Sequence, residues 1–319
     1  MKALVIDHIH PDGVNLLRQY LEVTHLRQAP TSMALAQILG DYHALVMRVN
    51  PRIDRLALAR PGKLRVISVA SVGLDHVDLA VTKEKGISVF NQPGVNRDSV
   101  AEFTFGLLLC LARQIHSASH DLRSGAWRRY DYQSGLELRG RTLGVIGLGR
   151  IGSRVAEIAK GFHMRVLAFS PYTADSRIHN LGVRLAGLEE LLSESDFVSV
   201  HCPLTVETRN MIGAAQLNLM RRGSYLLNLA RGGIVDERAL YEALQQGHLA
   251  GAASDVFAVE PPEGNPLLQL PNFMGTPHIA GPTTDSLWRA GMHAAKTVLQ
   301  FLGITAEADA AGAAMAAEA

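Results

Sequence analysis

Three stretches of this chain carry residue types able to do chemistry. The first is Arg141-Thr-Leu-Gly-Val-Ile-Gly-Leu-Gly-Arg-Ile-Gly152, in which Gly147, Gly149 and Gly152 form G-x-G-x-x-G. An apolar run ending at Val145 and Ile146 precedes the glycines, and Val155, Ile158 and Ala159 follow with helical spacing. A strand, a glycine turn and a helix start bring backbone close to a pyrophosphate and aim helix N–H groups at it. The motif alone is weak; in this setting it predicts a dinucleotide site. The second stretch holds Arg231, followed by Gly232 and Gly233, just after an apolar run. A guanidinium at a strand's carboxyl end can grip carboxylate or carbonyl oxygens with paired hydrogen bonds. The third holds His278 in Thr-Pro-His-Ile, after a short run at 273–275. Imidazole titrates near working pH and gives or takes a proton. By itself His278 is one of 13 histidines, and Glu260, in Val-Glu-Pro-Pro, is an ordinary loop residue.

Regular elements must position these residues. Short apolar, β-rich runs at 3–6, 22–26, 44–47, 66–69 and 87–90 predict strands, separated by helical patterns at 13–20, 33–39, 53–59 and 77–85. A long amphipathic helix is expected over 98–119. A second strand series follows at 142–146, 166–169, 197–200, 225–229 and 252–256, and a last helix at about 284–302. Near-continuous apolar strands alternating with helices imply parallel sheets covered on both faces. Two such series imply two doubly wound α/β domains, and the last helix is free, on pattern alone, to close either one.

Composition narrows the class. The chain has 319 residues and is 47% apolar, enough for two domains with sizeable cores. Its 31 basic and 30 acidic residues are scattered, which argues against a nucleic-acid or anionic-membrane partner. Two cysteines far apart, Cys110 and Cys202, argue against a disulfide framework or a metal site and fit a reducing cytoplasm. The first residues read as a strand rather than a signal peptide, and the longest apolar run, 103–112, is too short to span a bilayer. The Ala-rich tail, 306–319, is expected to be frayed or only partly helical, and is too short for a further regulatory domain.

Taken in order, several motifs carry a resemblance. They are Ser71-Val-Gly-Leu-Asp75, Asn91-Gln-Pro-Gly-Val-Asn96 with Ser99-Val-Ala-Glu102, and the glycine stretch. They continue with Asn228-Leu-Ala-Arg-Gly-Gly-Ile-Val-Asp236, Asp255-Val-Phe-Ala-Val-Glu-Pro261 and Thr276-Pro-His-Ile-Ala-Gly281. Over most of its length the chain resembles the NAD(P)-dependent D-isomer specific 2-hydroxyacid dehydrogenases, the family of phosphoglycerate dehydrogenase, glyoxylate/hydroxypyruvate reductase and D-lactate dehydrogenase. The resemblance implies a Rossmann cofactor domain, 97–286, inserted in a flavodoxin-like substrate domain, 1–96 plus 287–319. It implies hydride transfer between NAD or NADP and a small 2-keto or D-2-hydroxy acid such as glyoxylate, hydroxypyruvate or a 3-phosphoglycerate-like acid. The implied catalytic set is Arg231, which anchors substrate, with His278 as general acid/base and Glu260 as its partner. Val72 and Gly73, through backbone N–H groups, and Arg48, at a strand end, are the expected substrate contacts. The expected cofactor contacts are Gly147, Gly149, Arg150, Ile151, Gly152, Ser170, His201, Cys202, Pro203, Thr208, Ala230 and Asp255, the last at the nicotinamide carboxamide. Pocket size is expected to depend on Arg48, the 71–73 loop and Trp288. The 98–119 helix and the arm after it, with Trp127, imply a homodimer.

Two features bear on the choice within the family. An acidic residue about 20 positions past the glycines normally bonds the adenosine ribose. Here that place holds Ser170, which does not repel a 2′-phosphate, and Arg150 and Arg177 are within reach of the same region; NADP is therefore favoured alongside NAD. Glu260 argues against the formate-oxidising branch, in which a glutamine accompanies the histidine. Two other readings stay open: a cofactor-sensing, corepressor-like binding protein on the same fold, and a phosphite- or formate-type dehydrogenase.

Overall fold

The computed structural model describes residues 1–172 and 181–305, which divide into two units, 1–96 with the segment from Pro282 onward, and 97–281. The second boundary lies a few residues before the 286/287 expected from the sequence. Thr283 caps the last helix there, its hydroxyl accepting the Ser286 N–H at 3.1 Å, so the first turn already belongs to the first unit. Arg177 and the Ala-rich tail lie outside the described residues.

In the first unit β1 (Lys2–Ile6), β2 (Glu22–Leu26), β3 (Ala44–Met47), β4 (Val66–Val69) and β5 (Ser88–Phe90) pair in parallel in the order β2-β1-β3-β4-β5. That is the flavodoxin-like order. Alternation places Ala3, Val5, Ala44, Val46 and Val66 in one core and Leu4, Ile6, Leu45, Met47 and Ile67 in another, one on each face of the sheet. Each large side chain so buried stabilises the fold by about 1.5–3 kcal/mol. Helices α1 (Pro11–Arg18), α2 (Ser32–Ile38) and α3 (Leu79–Glu84) cover the sheet together with the last helix, Thr284–Phe301. The last helix and α1 meet at Gly13 and Gly291: a Cβ on Gly13 would lie 2.5 Å from the Gly291 carbonyl oxygen, so neither helix tolerates bulk at the crossing.

Two expectations for this unit need correction. Residues 53–59 form turns rather than a helix. Ile53 instead bridges Val77 in parallel, and the following turn closes through Asp54, whose carboxylate accepts the Ala57 N–H at 2.9 Å. That bridge also claims Val77 from the helix expected at 77–85, which starts only after Asp78 caps it.

In the second unit seven strands are parallel among the described residues: β6 (Thr142–Ile146), β7 (Arg165–Phe169), β8 (Arg184–Leu185), β9 (Phe197–Val200), β10 (Tyr225–Asn228), β11 (Gly251–Ser254) and β12 (Phe273–Gly275). Their order is β12-β11-β10-β9-β6-β7-β8, so the chain reverses direction across the sheet between β6 and β9. Helices α4 (Arg97–Arg113), α5 (Ile115–Arg123), α6 (Arg150–Gly161), α7 (Leu188–Glu194), α8 (Ala214–Leu219) and α9 (Glu237–Gln245) surround it. Phe105 of α4 stacks on Phe162 at the end of α6, ring centroids 5.1 Å apart. The single helix expected over 98–119 is two helices. Gln114 takes a left-handed backbone (φ 52°), and its side chain bonds Ser134 at 3.0 Å, which redirects the chain.

Candidate functional site

The glycine turn occupies the switch point of the second sheet, where parallel α/β folds bind ligands. Gly147 has φ 97°, a left-handed value that favours glycine, and a Cβ there would lie 2.9 Å from the Cys202 amide nitrogen. A Cβ on Gly152 would overlap the Gly147 carbonyl oxygen. Around Gly149 the opposite holds: among the described residues nothing lies within 4 Å of the position its Cβ would take. Gly149 is also the N-cap of α6, and among the described residues no side chain caps the helix, which leaves its first-turn N–H groups without a side-chain acceptor there. A tight turn, an open approach over Gly149 and an uncapped helix start, with Arg150 exposed and Ile151 half-buried on its first turn, fit a dinucleotide pyrophosphate.

Ser170, at the end of β7, accepts the Leu148 N–H at 3.0 Å, so its hydroxyl braces the glycine turn. After β9, His201 donates its backbone N–H to Ile146 at 2.7 Å, and its ring Nε2 meets the buried Ser199 hydroxyl at 2.8 Å. The residue keeps some surface, but its Nδ1 is buried with no partner among the described residues. Burial pushes the ring down to about 3, so it is neutral at working pH. Burial likewise raises the Cys202 thiol above its usual range. Pro203 and Thr208 close the loop: the Thr208 hydroxyl donates to the Pro203 carbonyl and accepts the Thr205 N–H, both at 2.7 Å.

At the other end of the sheet, three neighbouring strands deliver the remaining groups. Beyond β10, buried Asn228 shapes the turn that carries Arg231: its Oδ1 accepts the Ala230 N–H at 3.2 Å and its Nδ2 donates to the Arg231 carbonyl at 3.0 Å. The guanidinium donates to the Ala230 carbonyl at 2.8 Å. Gly232 then packs flat on the next loop, where a Cβ would overlap the Phe257 carbonyl. That next loop, after β11, holds Glu260. One carboxylate oxygen accepts the Phe257 N–H at 3.0 Å and the other lies 2.9 Å from His278 Nδ1. His278, after β12, is half-exposed and has a left-handed backbone (φ 55°), uncommon for a residue with a Cβ. Arg231, Glu260 and His278 are thus brought together on adjacent turns of one sheet edge.

Asp255 is expected at the cofactor, yet its buried carboxylate is occupied by the His278 loop. Oδ1 accepts the Thr276 hydroxyl at 2.6 Å and the Ile279 N–H at 2.9 Å, and Oδ2 accepts the Ala280 N–H at 2.8 Å. This tether accounts for the backbone turn at His278. Sequence reasoning missed Asn228 and Thr276; a polar residue ending an apolar strand was the available signal for Asn228.

In the first unit, Arg48 follows β3 and the Val72–Gly73 turn follows β4, on one edge of that sheet. The turn is braced by Asn91, whose Nδ2 donates to the Val72 carbonyl at 2.6 Å. Arg48 Nε is buried without a partner among the described residues, as is Asn96 Oδ1. Trp288 donates to Asp12 at 3.0 Å and so pins the last helix to α1. Among the described residues no group of His, Cys, Asp or Glu is arranged to hold a metal ion, and no helix is long and apolar enough to cross a membrane.

A parallel two-unit α/β chain with a dinucleotide turn and an Arg–Glu–His sheet edge belongs among the nicotinamide-dependent oxidoreductase folds. Residues 105–280 match the family described as D-isomer specific 2-hydroxyacid dehydrogenase, NAD binding domain. The chain is 41% identical to D-3-phosphoglycerate dehydrogenase of Methanocaldococcus jannaschii over 95% of its own length and 57% of that protein. It is 40% identical to glyoxylate reductase of Aeropyrum pernix over 94% of its length and 92% of that protein. The crystal structure of the TT0316 protein from Thermus thermophilus superposes with a TM-score of 0.87 at 39% identity, covering 95% of this chain and 97% of that one. This chain belongs to the D-isomer specific 2-hydroxyacid dehydrogenase family, and its second unit is the family's NAD(P)-binding domain. It spans little more than half the length of the phosphoglycerate dehydrogenase it matches.

Proposed function

We propose that this chain interconverts a small 2-keto acid and its D-2-hydroxy acid with NAD(P)H as the redox partner. The observation that carries this reading is the 2.9 Å contact between His278 Nδ1 and Glu260 Oε2. An ionised carboxylate only accepts hydrogen bonds, so Nδ1 carries a proton in that pair. Nε2 is then the nitrogen that exchanges a proton with substrate. In reduction His278 gives that proton to the carbonyl oxygen, and in oxidation it takes it from the hydroxyl. Arg231 anchors the substrate carboxylate through paired hydrogen bonds. When bound, the dinucleotide supplies or accepts the hydride.

Glyoxylate and hydroxypyruvate are the first substrates to expect. The match to a glyoxylate reductase along 92% of that protein's length supports the choice. Ser170 supports use of NADPH beside NADH: Phe169-Ser170-Pro171-Tyr172 brings no carboxylate to the end of β7 that would repel a 2′-phosphate. The protein acts as a cytoplasmic homodimer in this reading. Its two thiols are free, and Ile115, Leu122, Trp127 and Tyr130 expose large apolar side chains along α5 and the arm after it, Trp127 at 78%.

The test is absorbance at the reduced-nicotinamide band, with NADH and NADPH in parallel, against glyoxylate, hydroxypyruvate, pyruvate, phenylpyruvate and phosphohydroxypyruvate. Oxidation with glyoxylate or hydroxypyruvate is expected. No oxidation with any acid, by protein that binds the cofactor, overturns the proposal in favour of a sensing role or another substrate class. Light scattering that gives a monomer's mass refutes the dimer.

A further inference from the structure

We propose that Glu237 is a positioning residue for the proton-transfer pair, acting from α9 on the turn that carries Glu260. The proposal rests on the reading of Glu260 and His278 given above. Glu237 is the first residue of α9, whose N-cap, Asp236, accepts the Arg238 and Ala239 N–H groups, each at 3.0 Å. The helix start is therefore capped without Glu237, and its carboxylate is used elsewhere. Oε1 accepts the Ala258 N–H at 2.6 Å, and Oε2 accepts Asn265 Nδ2 at 2.7 Å. Asn265 Oδ1 in turn accepts the Leu267 N–H at 3.1 Å. Both oxygens thus clamp the loop on either side of Glu260.

The turn is held on three sides. The Phe257 ring is buried and meets Phe273 edge-on, centroids 6.4 Å apart. The Phe257 carbonyl lies against Gly232. The third hold is Glu237, on the N–H of the residue next to Phe257. The Phe257 N–H itself orients the Glu260 carboxylate toward His278. Removing the Glu237 carboxylate leaves Ala258 N–H and Asn265 Nδ2 without their acceptor, so the turn loses its link to α9. Glu260 then no longer holds His278 Nδ1 in one orientation. Proton transfer is slowed while the glycine turn, which follows β6 and is separated from β10 by β9, is untouched.

The experiment is a double-mutant cycle in the full-length protein. Glu237→Ala, Glu260→Gln and the double variant are assayed for kcat, KM, the solvent isotope effect on kcat and dinucleotide affinity. Glu237→Ala is expected to lower kcat about 10- to 100-fold, as misplacement of a reacting group does. It should raise the solvent isotope effect and leave dinucleotide affinity unchanged. In the Glu260→Gln background it should add almost nothing, because both act through one imidazole. If Glu237→Ala does not fold, Glu237→Asp, which keeps the charge one methylene short of Ala258, replaces it in the same cycle. Unchanged kcat, or a loss that multiplies with that of Glu260→Gln, overturns the proposal. If Glu260→Gln itself keeps full kcat, the proton-transfer reading fails instead, and the two failures are distinct.

Discussion

His201 offers a prediction whose size follows from its surroundings. Its ring lies beside Ser199 behind the glycine turn, with Nδ1 shut away from water, and desolvation lowers its proton affinity from the ordinary 6.5 to about 3. In the unfolded chain the same ring titrates normally. A depressed folded value contributes stability that is complete above pH 6.5 and is lost as pH falls toward about 3. At pH 5 the unfolded ring is almost fully protonated and the folded ring is not, a difference of about 2 kcal/mol. That figure is insensitive to the folded value as long as it stays well below 5. The perturbation is His201→Gln, which removes the titrating group and keeps a polar atom toward Ser199. Urea unfolding at pH 7 and pH 5 gives each protein's loss over that interval. Wild type should lose about 2 kcal/mol more than the variant, since every other titration is common to both. Equal losses would refute the claim that a buried neutral imidazole stands behind the cofactor turn.

Other consequences follow from named contacts. Gly152→Ala places a methyl on the Gly147 carbonyl and must displace the turn, so dinucleotide affinity measured by fluorescence titration should fall at least tenfold; an unchanged affinity contradicts the cradle. If Ser170 lies at the adenosine ribose as proposed, Ser170→Asp should discriminate against NADPH by at least tenfold relative to NADH; equal losses for both would place a 2′-phosphate elsewhere. Asp255→Ala leaves the Thr276 hydroxyl and the Ile279 and Ala280 N–H groups without their acceptor, at about 1–3 kcal/mol for the buried Ala280 N–H, and should lower both melting temperature and kcat. A variant as stable and as fast as wild type would show that the His278 loop does not depend on this carboxylate.

The architecture was legible because the strands are short, apolar and β-rich. Buried on both faces, runs such as Ala44–Met47 and Phe197–Val200 have no other use. The break at Gln114 was not legible: no Gly or Pro interrupts Ala112-Arg113-Gln114-Ile115, and the bend depends on a bond to Ser134. Residues 53–59 read as a helix because their apolar spacing allows it, but the pairing of Ile53 with Val77 wins. At the site, Arg231, Glu260 and His278 were visible through family motifs. The roles of Asp255 and Glu237 were not, because a carboxylate that bonds backbone a score of residues away leaves no local signature; Asn228, which bonds the turn two and three residues on, showed only as a polar residue ending an apolar strand. The clearest case is Asp255: its motif suggests a cofactor contact, while its oxygens hold the loop of His278.

The central claim is that His278, oriented by Glu260, moves the substrate proton. Its most direct test is His278→Ala, assayed with the best 2-keto acid from the panel beside a titration of dinucleotide affinity. Turnover should fall by about 100- to 10,000-fold, the usual contribution of a positioned acid or base, with dinucleotide affinity unchanged. Near-normal turnover in the variant would contradict the account.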